Sequence, residues 1–319
     1  MADIDRIVGW LTDRARRSVH SAPLESRVPG DVHRSASGTC YRIESRAPVR
    51  IALPAADEAI SAVLSELRLL YGIGRASAER LTEDGYGTIG DLLSHPRWSA
   101  AAQSLLEHWG DPPDLHRVYT TMSYWLPASH PLFLTLPGLA PLTRICFFDL
   151  ETLGLYGSPI FLAGLGRPTS AGEIAITQYF ARGMEEELGL LEAIRDELSD
   201  CLFLITYNGK AFDWTTTRAR LAFYSLPFPP DPLHLDLLPH ARRRFRGTLP
   251  DARLETVEQG VLGIARKGDV PSEEVPRCYE DYLATGDPAP ILPVIAHNRQ
   301  DVETLALLYS HFLADERDR

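Results

Sequence analysis

The feature that most limits what this chain can fold into is the run CLFLITY at residues 201–207. A strand with apolar side chains on both faces is typical of the interior of a layered sheet, where helices cover both sides. Amphipathic helical patterns precede the run at residues 184–200 and follow it at residues 210–224. Together these segments predict an α/β domain in which strands and helices alternate.

More strands and one long helix are predicted in the same part of the chain. Apolar and β-branched residues between glycine, proline or serine turns indicate strands at residues 144–150, 159–166, 173–180 and 233–238. From about residue 294 a helix is predicted, with the apolar residues Val302, Leu305, Leu308 and Phe312 on its inner face.

The chain divides by composition into three parts. Residues 1–57, rich in Arg, Ser and Pro, predict a loose N-terminal arm with a helix near residues 3–17 and an extended stretch near 39–52. Residues 58–125 predict a small helical region, since apolar residues recur there at three- and four-residue steps. Residues 141–315 hold the α/β domain.

Composition and charge exclude several classes of protein. No stretch approaches the ~18–20 apolar residues of a membrane span, and the charged N-terminal sequence does not resemble a signal peptide, so we expect a cytoplasmic protein. The cysteines lack the CxxC spacing of a zinc ribbon or the pairing pattern of a disulfide scaffold. With a net charge of −11, the chain would attract a nucleic acid only through local features or bound metal ions.

Three short motifs carry acidic residues at places where a strand or a helix can aim them. Asp149 and Glu151 lie two apart at the end of a predicted buried strand, so their side chains leave the same face. Asp213 falls in the first turn of the helix after CLFLITY, and His297 lies one turn before Asp301 on the last helix. Taken singly, each motif favours a simpler interpretation: a solvated pair for Asp149 and Glu151 or for His297 and Asp301, and a favourable helix-terminal charge for Asp213.

The chain resembles the DEDD 3′–5′ exonuclease superfamily, and most closely its YprB-like ribonuclease-H-like branch. The resemblance lies in three motifs that occur in this order, FFDLETLGL, YNGKAFD and HNRQDVETLALL, with HLDLL between the last two. The resemblance covers about residues 141–315. It implies a ribonuclease-H-like three-layer domain with a mixed five-stranded sheet and a two-metal phosphodiesterase site. The metal ligands it implies are Asp149, Glu151, Asp213 and Asp301, and His297 completes the catalytic set.

The chemistry of carboxylates agrees with this implication. Four carboxylates in one place would raise one another's pKa values, and divalent cations remove the conflict. Oxygen ligands suit Mg²⁺ or Mn²⁺, and two such ions about 3.5–4 Å apart can hold a phosphodiester, activate a water and stabilise the leaving oxygen. We predict no other cofactor.

One departure from the superfamily concerns the residue that assists the attacking water. Relatives carry tyrosine four positions before the last aspartate or histidine five before it, whereas this chain carries His297 at the tyrosine spacing. With the pKa of ~6.5 that an isolated imidazole has, we expect His297 to act as a general base near neutral pH or to position this water without taking its proton. Leu153, where many relatives have threonine, is a smaller departure.

Substrate contacts are predicted beside the carboxylates. Asn208 is a candidate for positioning Asp213 or for contact with a substrate phosphate. Lys210 is a candidate for a phosphate contact, and Asp236 for support from a neighbouring strand. The alternative for Asn208 and Asp236 is a strand-end hydrogen bond, and the alternative for Lys210 is a solvated position at the start of a helix. The basic run at residues 242–246 has two interpretations. It could line a channel for single-stranded nucleic acid, with Arg243 in contact with a phosphate and Phe245 stacked on a base, or it could form a solvated helix face. We expect residues 247–292 to close over or beside the site.

The segment LRLLYGIGRASAERLTEDGYGTIGDLL at residues 67–93 resembles a helix-hairpin-helix module. The resemblance implies that Gly72 and Gly74 expose backbone N–H groups to a nucleic-acid phosphate, that Ile73 enters the core and that Arg75 adds a contact. Because nearby acidic residues leave this face without net positive charge, internal packing or a protein contact is an open alternative.

These observations predict a metal-dependent nuclease, and the resemblance implies a 3′–5′ exonuclease acting on DNA or RNA. The alternatives are a structure-specific endonuclease or ribonuclease, and a nucleic-acid-binding or scaffold protein with a vestigial site. The presence of all four carboxylates argues against the last of these.

Overall fold

A computed structural model describes residues 22–155, 157–266 and 268–317, and its centre is a seven-stranded mixed sheet. The strands are β1 (Asp31–Arg34), β2 (Thr39–Ala47), β3 (Ile145–Thr152), β4 (Ile160–Pro168), β5 (Ile174–Phe180), β6 (Phe203–Thr206) and β7 (Leu233–Asp236). Their order is β1-β2-β5-β4-β3-β6-β7. β6 runs parallel to both β3 and β7, and the other pairs are antiparallel.

All five strands predicted for the α/β domain form, but the predicted count of five is too low for the whole sheet. The second half of the predicted loose arm supplies β1 and β2, and β2 pairs with β5 from Tyr41 opposite Phe180 to Ala47 opposite Ile174. The pairing is favourable because Tyr41, Ile43 and Ala47 of β2 bury their side chains. The helix predicted near residues 3–17 lies outside the described residues.

Helices cover both faces of this sheet. They are α1 (Leu24–Arg27), α2 (Ala56–Leu64), α3 (Arg75–Glu83), α4 (Ser99–Trp109), α5 (Leu115–Trp125), α6 (Leu132–Thr135), α7 (Glu187–Leu198), α8 (Asp213–Phe223), α9 (Leu238–Arg244), α10 (Leu254–Val257), α11 (Val275–Thr285) and α12 (Leu292–Arg317). A π-helical turn, Glu258–Leu262, follows α10. Among the described residues, no helix combines the length and the apolar character that crossing a membrane requires.

Successive side chains along each strand point to opposite faces of the sheet, and this produces two hydrophobic cores, one on each face. On β3, Phe147 packs in the core that includes Leu305 of α12, whereas Phe148 packs in the core that includes Ile194 of α7. All four residues of β6 are buried, which confirms the prediction that CLFLITY is covered on both sides. The domain therefore has three layers, helix, sheet and helix.

The helical region shares the core on the α12 face. Val63, Leu67 and Ile73 belong to the same cluster of buried side chains as Phe312. A hydrogen bond from Tyr309 Oη of α12 to the carbonyl of Leu134, at 2.8 Å, joins the same two regions. The core is thus continuous from the helical region into the sheet.

A glycine on β4 allows α12 to lie close against the sheet. A Cβ atom built at Gly164 would lie 2.4 Å from Asn298 Oδ1, so a larger residue there would push the helix away. Gly164 pairs with Asp149 of β3. The close approach therefore brings the His297–Asp301 turn of α12 to the part of β3 that carries the predicted carboxylates.

Candidate active site at the edge of the sheet

The five predicted catalytic residues meet where β3, α8 and α12 converge. The backbone N–H of Leu150 on β3 donates to Asp213 Oδ1 at 3.0 Å, which joins β3 to the first residue of α8. His297 Nε2 lies 4.0 Å from Glu151 Oε1 and 3.3 Å from Asp301 Oδ2. We call Asp149, Glu151, Asp213, His297 and Asp301 the carboxylate cluster.

Asp149 is fixed by a residue that the motifs did not single out. Asn298 donates from Nδ2 to Asp149 Oδ2 at 2.8 Å, and its own Oδ1 accepts from Gln178 Nε2 at 2.8 Å. Both amide side chains are buried. Asn298 stands next to His297 in the HNRQD motif, and an uncharged polar residue beside a predicted catalytic residue was the signal that could have identified it.

Asp236 shapes the turn that leads to Asp213. Its carboxylate accepts hydrogen bonds from the backbone N–H groups of Asn208 at 2.8 Å, Leu238 at 3.0 Å and Lys210 at 3.3 Å. This is the strand-end hydrogen bonding that the sequence offered as one reading of Asp236. The exposed Asn208 adopts a left-handed φ of 64° in the same turn.

Burial and mutual repulsion disfavour the charged forms of these carboxylates. Burial, with repulsion from Asp301 and Glu151, raises the pKa of Asp149 well above its ordinary value. Burial likewise raises the pKa of Glu151 to about 8, although the charge of His297 opposes the rise. Burial raises the pKa of Asp213 to about 7 against the effect of its backbone hydrogen bonds. Such a set is stabilised by additional positive charge.

His297 is surrounded by carboxylates on both ring nitrogens. Nδ1 lies 2.6 Å from Asp269 Oδ1, and Nε2 faces Asp301 and Glu151. Burial alone would lower the pKa of His297, but the hydrogen bond and charge of Asp301, with the charge of Glu151, raise it to about 10. The sequence-based expectation of a base near neutral pH used the isolated imidazole pKa of ~6.5, which these neighbours change.

The side chains of the cluster fit divalent cations. Glu151, His297 and Asp301 each offer a ligand atom, and these atoms lie within 4.8 Å of one another. Asp149 and Asp213 add carboxylates that are already oriented by Asn298 and by the backbone of Leu150. An oxygen-rich donor set whose members repel one another is the chemistry that Mg²⁺ or Mn²⁺ satisfies.

The segment after β7 closes beside the carboxylate cluster, as the sequence predicts for residues 247–292. Arg266 donates from Nη2 to Asp301 Oδ1, from Nε to Glu258 Oε2 at 2.5 Å and from Nη1 to Asp269 Oδ2 at 3.3 Å. Glu258 also accepts from Thr304 Oγ1 of α12 at 2.6 Å. No local pattern marks Glu258, Arg266 or Asp269, and the motifs missed all three.

Two predicted substrate residues near the cluster have different surroundings. Asn208 is exposed beside Asp236, whereas Lys210 donates from Nζ to Tyr119 Oη of α5 at 2.9 Å. Tyr119 in turn donates to the carbonyl of His234 at 2.7 Å. Lys210 is exposed and remains available to solvent despite this contact. Leu153 is half-buried against the second core.

The structure places the basic run on α9 and the residues just after it. Arg243 is exposed and donates from Nη1 to the carbonyl of Ser129 at 2.8 Å. The ring of Phe245 is half-buried, with its centroid 6.0 Å from that of Phe312. Base stacking on Phe245 would therefore compete with its packing in the core.

The glycine turn before α3 has the predicted backbone in part. Gly72 has a φ of 87°, which favours glycine, whereas Gly74 is extended and caps α3. Ile73 is buried, as predicted. Arg75 has an 87% exposed side chain that pairs with Glu79 at 3.0 Å. The turn thus lies at a surface of mixed charge.

Comparisons with known proteins extend these observations. The family model of the RNase H superfamily matches residues 146–313. The chain is 37% identical over 173 residues to the uncharacterized protein YprB of Bacillus subtilis (strain 168). That match covers 53% of this chain and 41% of YprB, so it spans less than half of the relative.

A solved structure with a similar region is a family B DNA polymerase from the archaeon Pyrobaculum calidifontis. The two share 18% identity with a TM-score of 0.42, over 55% of this chain and 25% of the polymerase. This likeness is too remote to support a conclusion about fold or function. Because the family match spans more than half of the chain and includes the whole carboxylate cluster, the chain belongs to the RNase H superfamily.

Proposed function

We propose that the protein is a metal-dependent nuclease that hydrolyses phosphodiester bonds with two Mg²⁺ or Mn²⁺ ions, as a 3′–5′ exonuclease on DNA or RNA. The observation that carries this proposal is the convergence of Asp149, Glu151, Asp213 and Asp301 from three separate elements of the chain. Members of the RNase H superfamily are generally nucleolytic and depend on divalent metals, which supports the same chemistry.

In this proposal the four carboxylates would hold the ions, and the ions would supply positive charge near the phosphodiester, the attacking water and the leaving oxygen. The protein contributes the orientation of each ligand. Asn298 holds one oxygen of Asp149, and the Leu150 N–H holds one oxygen of Asp213. Preorganised ligands of this kind lose little freedom when the ions and the substrate bind.

His297 is the proposed water-positioning residue or general base. Because Asp269 occupies Nδ1, the nitrogen that faces the cluster is Nε2. Asp269 fixes the orientation of the ring, and a proton taken from water would go to Nε2. Positive charge brought to Asp301 and Glu151 would offset the two carboxylates that raise the pKa of His297.

The proposed grip on nucleic acid has two parts. Asn208 and Lys210, on the turn that Asp236 shapes, would contact substrate phosphate beside the carboxylates. The turn at Gly72 and Gly74, with Arg75, would bind a phosphate further along the strand as a helix-hairpin-helix module does. Arg243 is a further exposed cation for a strand leaving the site.

The deciding experiment is hydrolysis of 5′-labelled single-stranded DNA and RNA of matched sequence with Mn²⁺ and with EDTA. We expect a metal-dependent ladder that shortens from the 3′ end and that Asp301→Asn abolishes. Asp196→Asn, which changes an exposed carboxylate on α7, is the matched control and should keep full activity. Cleavage of circular DNA would instead identify an endonuclease, and intact substrates despite bound Mn²⁺ would contradict the proposal.

A further inference from the structure

Arg266 is a buried cation that contacts the carboxylate cluster from outside its motifs. Its side chain is 9% exposed, and its guanidinium donates to three carboxylates, Asp301, Glu258 and Asp269. Glu258 is 1% exposed and is hydrogen-bonded to Thr304 and Gln300 of α12. Arg266 Nη1 also lies 3.3 Å from His297 Nδ1. Arg266 is therefore held by Glu258 and Asp269 and faces two members of the cluster, Asp301 and His297.

Both oxygens of Asp301 have a cationic neighbour. Oδ1 accepts from Arg266 Nη2, and Oδ2 lies 3.3 Å from His297 Nε2. By contrast, the contacts described for Asp149 are to the neutral amide of Asn298, and Asp213 accepts from a backbone N–H. Arginine is charged at every accessible pH, so its positive charge at Asp301 is permanent.

We propose that Arg266 is the resident counter-charge of the site, which competes with a divalent ion for Asp301 and is displaced onto Glu258 and Asp269 when that ion binds. The inference rests on the proposed function, since it requires that Asp301 bind a metal ion. Displacement needs no exit of the side chain to solvent, because Nε and Nη1 already bond to the other two carboxylates. Arg266 then stabilises the protein without divalent ions and weakens the affinity of one ion site.

A purely structural role predicts the opposite change in metal affinity. If Arg266 only ties the 247–292 segment to α12, its loss would misplace Asp301 and weaken metal binding. If Arg266 competes with the ion, its loss removes a positive charge beside the ligand and strengthens metal binding. The sign of the change in Mn²⁺ affinity therefore separates the two roles.

The test is a Mn²⁺ titration, followed by electron paramagnetic resonance of free Mn²⁺, with wild type, Arg266→Met and Arg266→Lys. We expect Arg266→Met to bind Mn²⁺ about tenfold more tightly, since loss of one nearby charge changes the interaction by that order. Arg266→Lys keeps the charge but cannot bridge Glu258 and Asp301 with a planar fork, so a smaller increase is expected.

Arg220→Met is the matched control. The side chain of Arg220 is 10% exposed and forms an ion pair with Glu187, which is 1% exposed. The hydrogen bonds of this pair do not involve any of the five cluster residues. Its loss removes a comparable buried pair, and we expect no change in Mn²⁺ affinity. A tightening of equal size in Arg220→Met would assign the effect to net charge alone and overturn the inference.

A measurement on the wild-type protein remains decisive if Arg266→Met does not fold. The side-chain Nε–H resonance of Arg266 in a ¹H–¹⁵N spectrum should shift when Mg²⁺ is added, whereas that of Arg220 should not. An unmoved Arg266 resonance, or an unchanged or weaker Mn²⁺ affinity in the Arg266 variants, contradicts competition while leaving the nuclease proposal intact. Failure of the wild type to bind Mn²⁺, or binding unaltered by Asp149→Asn, overturns the nuclease proposal itself.

Discussion

The carboxylate cluster and the glycine turn before α3 are built in opposite ways. Asp213, His297 and Asp301 are buried and cross-linked between elements that are far apart in sequence. The turn is formed by consecutive residues, and its one cationic side chain, Arg75, is 87% exposed and paired with Glu79. Burial holds the side chains of the cluster in one arrangement, as catalysis requires. An exposed turn can adjust its side chains when it contacts a partner.

This difference predicts distinct effects of substitution in the two regions. Changes in the cluster should alter the rate of hydrolysis and the response to metal, because the proposed function places its groups at the reacting atoms. Changes in the turn should alter affinity for long substrates and leave hydrolysis of short ones unchanged. A turn variant that slowed hydrolysis of short substrates, or a cluster variant that changed only the affinity for long ones, would contradict this division of roles.

The largest effect is expected for Asp149→Asn. Loss of a metal ligand should reduce hydrolysis at least about a thousandfold, since metal assistance supplies several kcal/mol. In EDTA the same variant should melt at a higher temperature than wild type, because one buried repelling charge is gone. Thermal unfolding with and without Mn²⁺ checks this, and a variant as responsive to Mn²⁺ as wild type would contradict a shared metal site.

The next largest effect concerns pH in the presence of EDTA. The folded-state pKa of Glu151 is raised to about 8, that of Asp213 to about 7 and that of His297 to about 10. At a pH between its ordinary pKa and its raised pKa, each group binds more protons in the folded state than in the unfolded state. The free energy of unfolding therefore falls as the pH rises through this interval. Urea unfolding should show a loss on the order of 4–10 kcal/mol between about pH 5 and pH 9, from Glu151 alone at the lower limit to all three groups added together at the upper limit.

Saturating Mg²⁺ provides the control for that measurement. Because ligand carboxylates bind the ion in their charged form, added Mg²⁺ should stabilise the protein more at pH 8 than at pH 5.5. A stability that rises with pH in EDTA would contradict the raised pKa values and show that cationic neighbours already outweigh burial and repulsion among the carboxylates.

A smaller effect is expected for Gly74→Ala. No atom lies within 4 Å of a Cβ built there and the backbone is extended, so folding should be unaffected. If the turn contacts phosphate, the methyl group should weaken binding of a long duplex by roughly threefold without changing hydrolysis of a short oligonucleotide. Gly90→Ala, in the same region and with negative φ, is the control. Equal affinity in both variants, measured by fluorescence anisotropy, would favour internal packing.

The smallest effect is expected for Arg75→Gln. Its exposed pair with Glu79 adds little stability, so the melting temperature should not change. If Arg75 contacts phosphate, the slope of log affinity against log salt should fall by about 1. An unaltered slope would remove Arg75 from the interface.

The sequence predicted the parts of the fold and the site that have strong local patterns. CLFLITY predicted a buried strand, and the helical pattern after it placed Asp213 at a helix start. The separate pattern from about residue 294 placed His297 one helical turn before Asp301. The contact between Arg266 and Asp301 joins residues 35 apart that share no motif, so only the folded chain reveals it. β1 was missed. The extended stretch predicted near residues 39–52 contains β2, but its place in the sheet was missed because its partner β5 lies more than a hundred residues later.

Aromatic and titratable residues showed a second limit. Phe245 stands in a run of arginines, which suggested an exposed ring, but packing against Phe312 half-buries it. The pKa of His297 was taken from isolated imidazole, whereas its three carboxylate neighbours come from β3, α12 and the segment before α11. In both cases the outcome depends on neighbours distant in sequence.

The pairing of β2 with β5 has a consequence for the solubility of shorter forms of the protein. A fragment that begins near residue 141 would keep the carboxylate cluster but lose β2, which pairs with β5 from Ile174 to Phe180. The backbone donors and acceptors of β5 would then be open to strands of other molecules, and aggregation would follow. The N-terminal arm thus protects the half of the chain that carries the carboxylate cluster from self-association through the edge of its own sheet.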